Sequence, residues 1–145
     1  MKQLKKSLYM NILVPIDGSK YSEKALLHAC NIAKNFESKI TLLYVVEKIM
    51  PIDLLDKQGY LKTLQKFGND VLIKGKKKAI QLGIDVKIVI KEGNVTNEIT
   101  KFAKKDNSNL IIVGYKGLGT TKQFVIGSVS NRLANNSPCS ILIIK

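Results

Sequence analysis

A chain of 145 residues, 45% hydrophobic and with charge spread along its length, is long enough to bury a full core and too apolar to stay disordered. No apolar run approaches the roughly 20 residues of a membrane span, and one histidine with two distant cysteines argues against a structural zinc site or Cys-x-x-Cys chemistry. The formal net charge of +13 comes from 24 basic residues, all of them lysine except Arg132. Without arginines for bidentate recognition or aromatics spaced for base stacking, it reads as a solvated lysine surface that prefers anions, not a specific nucleic-acid interface.

Asn11 to Pro15 (NILVP) reads as a short buried strand, and Asp17-Gly18-Ser19 as a turn with Ser19 capping a helix that runs to about Phe36. That helix carries Tyr21, Ala25, Ala29, Ile32, Ala33 and Phe36 on one face, with His28 packed at the edge of the stripe. Ile40 to Val46 is a second strand, apolar enough to be covered on both faces. Glu47 to Gly59 contains Pro51 and Gly59 and reads as a loop. A helix from about Tyr60 to Leu82 follows, with a stripe of Leu61, Leu64, Val71, Leu72, Ala79 and Leu82. Gly68 and Gly75 fall in that stripe, where they either allow close packing or weaken the helix. Lys74, Lys76, Lys77 and Lys78 fall mostly off it.

Asp85 to Lys91 is the third strand, Asn94 caps a helix to about Lys105, and Leu110 to Val113 is the fourth strand. A helix from Gly127 to Asn135 and a last strand, Ser140 to Ile144, complete the alternation. Five strands separated by helices imply one α/β domain over residues 1–145, an open parallel sheet with helices on both faces and right-handed crossovers. Cys30 and Cys139 sit among apolar residues as small hydrophobes. The basic start, Met1-Lys-Gln-Leu-Lys-Lys, is followed by no apolar segment of signal type, so a cytoplasmic protein is expected.

The richest stretch follows the fourth strand: Gly114-Tyr-Lys-Gly117, nine residues, then Gly127-Ser128 at a helix start. Glycines let backbone N–H groups approach an anion, a helix N-terminus offers unpaired donors, and Ser128 adds a hydroxyl. The same residues also suit a loop whose glycines serve only its turns, with Ser128 as an ordinary cap. A P-loop is absent, since Gly114-x4-Gly119 leads into Thr120-Thr121 without its lysine, and no Gly-x-Gly-x-x-Gly follows the first strand.

From about Met10 to Lys145 these features, in this order, resemble the nucleotide-binding branch of the universal stress protein family. Ile12 to Ser19 is similar to its opening strand and acidic turn, Leu42 to Val46 to its second strand, and Glu92-Gly93 to the glycine after its third. Gly114-x2-Gly117-x9-Gly127-Ser128 is similar to its ATP-binding signature, and Ser137-Pro138-Cys139-Ser140 with the apolar run behind it to its last strand. The resemblance implies a Rossmann-like strand order of 3-2-1-4-5 and a cytoplasmic, ATP-binding or adenine-nucleotide-binding stress-response module with Mg²⁺. It places Asp17 at the ribose–adenine end, Pro15 and Val45 against adenine, and Gly114 near ribose and phosphates. Gly117, Gly127, Ser128 and the Val129 amide would hold the phosphate chain, and Ser140 to Ile144 would pair with a second copy in a homodimer.

Within the loop, Lys116 and Lys122 read first as solvated, with pairing to phosphate as a point charge the alternative, and Tyr115 reads as a cover over the crevice. Residues 47–59 have no firm counterpart in the family pattern. A slow ATPase is the enzymatic alternative, but the loop supplies no carboxylate to act as a base, His28 reads as packed on the first helix, and Asp17 at the nucleoside end is too far from the terminal phosphate. A nucleotide-free dimerisation scaffold is the other, against which the intact glycine signature argues.

Overall fold

The strands are apolar on both faces because both faces are covered. In the computed structural model, which describes residues 8–48, 51, 53–118 and 126–145, the elements run β1 (Asn11–Pro15), α1 (Lys20–Phe36), β2 (Lys39–Val46), α2 (Lys57–Gln81), β3 (Val86–Glu92), α3 (Val95–Lys105), β4 (Leu110–Gly114), α4 (Ser128–Asn136) and β5 (Ser140–Ile144). All pairings are parallel and the order is β3-β2-β1-β4-β5, as the family resemblance implied.

Successive strand residues point to opposite faces. Ile12, Val14, Ile40, Leu42, Leu110 and Ile112 therefore meet α1 and α2 in one buried cluster. Leu13, Leu43, Ile111 and Val113 meet α3 and α4 in the other. Each such side chain, fully withdrawn from water, contributes about 2 kcal/mol relative to exposure.

The helix starts follow from side-chain caps. Ser19 Oγ accepts the Ser22 N–H at 3.2 Å and Asn94 Oδ1 the Asn97 N–H at 3.1 Å, so α1 and α3 begin where the sequence places them. Helix α2 begins three residues earlier than expected. Asp56 accepts the Gly59 N–H at 2.8 Å, which turns a segment read as loop into a capped first turn. Gly59 looked like a breaker, but in the first turn its N–H needs only the cap.

The close-packing reading of the α2 glycines is the correct one. A Cβ on Gly68 would lie 2.5 Å from the Tyr44 ring, and one on Gly75 3.0 Å from Leu42. The lysine cluster lies at the margin: Lys74 and Lys77 are exposed, while the half-buried Lys76 and Lys78 pair with Asp85 and Glu23. His28 departs from expectation. It is exposed, because the buried stripe of α1 is Ser22, Ala25, Leu26, Ala29, Cys30 and Ala33, which leaves His28 on the other side of the helix. Cys30 is buried and Cys139 half-buried, and desolvation pushes both thiols up. No helix among the described residues is long and apolar enough to cross a membrane.

Candidate functional site

From β1 the chain builds β2 and β3 to one side of the sheet, and later β4 and β5 to the other. Loops leaving β1 and β4 therefore diverge, and a crevice opens at the carboxyl ends of these strands, where open α/β sheets hold ligands. Here it is a cavity of about 530 Å³, within the usual range for small-molecule sites. Pro15, Asp17, Val45, Gly114, Gly117, Gly127, Ser128 and Val129 all line it.

Asp17 ties the two sides of the crevice together. One carboxylate oxygen accepts the Ser19 N–H of its own turn at 2.9 Å. The other accepts the Leu118 N–H of the glycine loop at 3.2 Å. Asp17 therefore caps its own turn and also faces the glycine loop. Gly117 leaves room for this approach, since a Cβ there would stand 2.7 Å from the Asp17 oxygen and push the carboxylate aside.

The far wall is the start of α4. Gly127, not Ser128, is the N-cap, and no side chain caps the helix. Ser128 is the first helical residue and is exposed. Gly127 donates its own N–H to Tyr115 O at 2.8 Å, which fixes the loop against the helix start. Ser130 donates its hydroxyl to Gly114 O, tying the first turn of α4 to the end of β4. The amides of this turn have no intrahelical acceptor, and together with the helix dipole they favour an anion.

Lys116 differs from its reading as a solvated residue. It lines the cavity and is only 9% exposed, and its carbonyl lies 3.5 Å from Ser19 Oγ. Tyr115 packs its ring edge-on against Tyr21 at 6.2 Å, and the Lys116 ammonium lies 5.6 Å from the Tyr115 ring. Tyr115 accordingly does not cover the crevice. Lys122 lies outside the described residues.

Sequence reasoning missed the apolar walls. Tyr44 shares the end of β2 with Val45, Tyr60 and Leu64 come from the start of α2, and Val95 and Ile99 from the start of α3. The signal was present as two i, i+4 apolar pairs in first turns, but only the strand order makes those turns converge. Burial, with the carboxylates of Asp17 and Glu47 adding to it, pushes the Tyr44 hydroxyl up, so it remains a neutral donor at physiological pH. Asp17, Glu47 and Lys116 are the charged groups among the described lining residues.

A model of the universal stress protein family matches residues 8–145. The chain belongs to the universal stress protein family. A universal stress protein of Methanocaldococcus jannaschii is 35% identical over 143 residues, covering 96% of this chain and 84% of that protein. The solved universal stress protein UspA of Lactobacillus plantarum is 26% identical, with a TM-score of 0.85 over 94% of this chain and 98% of that one. A family member from Arabidopsis thaliana solved with AMP bound shares 20% identity, with a TM-score of 0.72 over 94% of this chain and 91% of that one. At that identity the likeness is one of fold. In this universal stress protein the glycine loop and the acidic turn meet across the crevice, joined by the Asp17–Leu118 hydrogen bond.

Proposed function

We propose that the crevice holds an adenine nucleotide, ATP in particular, and that the protein acts as a cytoplasmic stress-response module that signals through its bound state. The observation that carries this reading is the start of α4, a helix N-terminus without a capping side chain, facing a cavity lined by Gly117, Gly127 and Ser128. The phosphate chain lies along Gly117, Gly127, Ser128 and the Val129 amide, with Gly114 near the ribose and phosphates. The base lies toward Pro15 and Val45, with Asp17 at the ribose–adenine end. The AMP found in the Arabidopsis protein supports an adenine nucleotide as the class of ligand for this fold. Among the described residues no group of three or more His, Cys, Asp or Glu side chains could hold a metal. Mg²⁺ would be carried by the nucleotide's phosphates and would neutralise part of their charge.

Calorimetric titration with Mg·ATP tests this. Wild type is expected to release or absorb heat with one-site stoichiometry, and Asp17→Ala to bind about tenfold more weakly, the loss of one charge-assisted hydrogen bond. An empty, folded wild type that gives no heat at millimolar ligand contradicts the reading.

The same reading includes a homodimer. β5 is an edge strand, with Ile141, Leu142 and Ile143 half-buried and its outer backbone groups open to pairing. A two-fold axis pairs this strand with its copy in a self-complementary contact. Light scattering at micromolar concentration is expected to give twice the 16.1 kDa chain mass. A mass of one chain across that range contradicts the dimer.

A further inference from the structure

Helix α2 packs on the sheet through Leu72, Ala79 and the neighbouring Val71 and Leu82, but the cluster stops short of its first two turns. There Tyr60 and Leu64, one turn apart on the same side, line the crevice instead. Their position is fixed. Asp56 accepts the Gly59 N–H at 2.8 Å, and the Tyr60 N–H reaches Asp56 O at 3.1 Å. A Cβ at Gly59 would stand 2.2 Å from the Asp56 carboxylate, so a larger residue immediately before the tyrosine would push the capping side chain aside. The result is a half-buried aromatic residue, held on a capped helix turn, that lines the same cavity as Pro15 and Val45.

We infer that Tyr60 is the cover of the base subsite: its ring stacks on the purine, while Pro15 and Val45 form the opposite wall. This rests on the nucleotide reading above and deepens it by assigning specificity for the base to a residue outside the glycine signature. A flat, polarisable ring matched to an aromatic ring of the ligand, in a site already walled by aliphatic carbons, favours a nucleobase over a bare phosphate compound. Stacking does not depend on the hydroxyl. The prediction is therefore specific to the ring, and phenylalanine should replace tyrosine there.

The test measures binding of Mg·ATP, adenosine and inorganic tripolyphosphate to the full chain and to Tyr60→Ala and Tyr60→Phe. Tyr60→Ala is expected to weaken ATP and adenosine about tenfold each and to leave tripolyphosphate unchanged. Tyr60→Phe is expected to bind all three within twofold of wild type. A second readout uses the absence of tryptophan and the small number of tyrosines, 5. Adenosine should quench part of the wild-type tyrosine fluorescence, and Tyr60→Phe should lose most of that quench while keeping its affinity. Adenosine affinity unchanged in Tyr60→Ala, an equal loss for tripolyphosphate, or a phenylalanine variant as weak as alanine would each overturn the inference. If wild type binds ATP normally and only these results fail, the nucleotide reading survives. If wild type binds neither ATP nor adenosine, both fall together.

Discussion

Replacing Gly114 by valine is expected to lower the melting temperature by about 10 °C, corresponding to about 3 kcal/mol for a chain of this size. Gly114 ends β4 directly against the first turn of α1. A Cβ at this position would lie 2.7 Å from the Tyr21 carbonyl carbon and 2.9 Å from the Ser22 nitrogen. Both are backbone atoms of a helix already fixed by the Ser19 cap, so no side-chain rotation relieves the overlap. The helix must move off the strand, opening the packing of Ala25 and Leu26 on the sheet. Even alanine, which adds only the Cβ, should cost a substantial part of this. Thermal unfolding followed by circular dichroism is the measurement, and a Gly114→Val protein that melts within 2 °C or so of wild type would contradict the packing argument. The glycine signature thus begins with a residue whose first requirement is structural.

Gly127→Val should behave differently, with the larger effect on binding. The backbone at Gly127, φ −61° and ψ 154°, is open to any residue. A Cβ would sit 3.2 Å from Tyr115 O and 3.3 Å from Lys116 Cα, tight but not a backbone collision. The branches of valine would fill the space in front of the α4 amides, where the phosphate chain is placed. Loss of about two charge-assisted hydrogen bonds predicts at least a hundredfold weaker ATP binding. The fall in melting temperature should be smaller than for Gly114→Val. Calorimetry beside a melting curve separates the two effects, and ATP affinity within threefold of wild type would show that phosphate does not lie there.

These two glycines also show what the sequence could and could not reveal. The strands were legible because burial on both faces leaves near-continuous apolar runs, as in Ile40 to Val46. The caps Ser19 and Asn94 were legible because a short polar residue before an apolar stripe has one main use. The family signature brought the opposite walls of the crevice together, Asp17 on one and Gly117 on the other. What stayed hidden depends on geometry that sequence spacing does not encode. The close fit of Gly114 against α1 looks, in sequence, like any phosphate-loop glycine. Tyr115 turns toward Tyr21, a contact between residues 94 positions apart in sequence, and the neighbouring Lys116 is buried. Tyr60 was concealed by Gly59, read as the end of a loop when it is the capped position of a helix turn.

The central claim, that an adenine nucleotide lies in this crevice with its phosphates on the α4 amides, is tested most directly by backbone amide NMR of the 16.1 kDa chain during titration with Mg·ATP. The account predicts that the largest shift changes fall on Gly117, Gly127, Ser128 and Val129, with Asp17 and Val45 next, and that AMP moves Asp17 and Val45 while perturbing the α4 amides less. Changes centred on the lysines of α2, or none at saturating nucleotide, would contradict it.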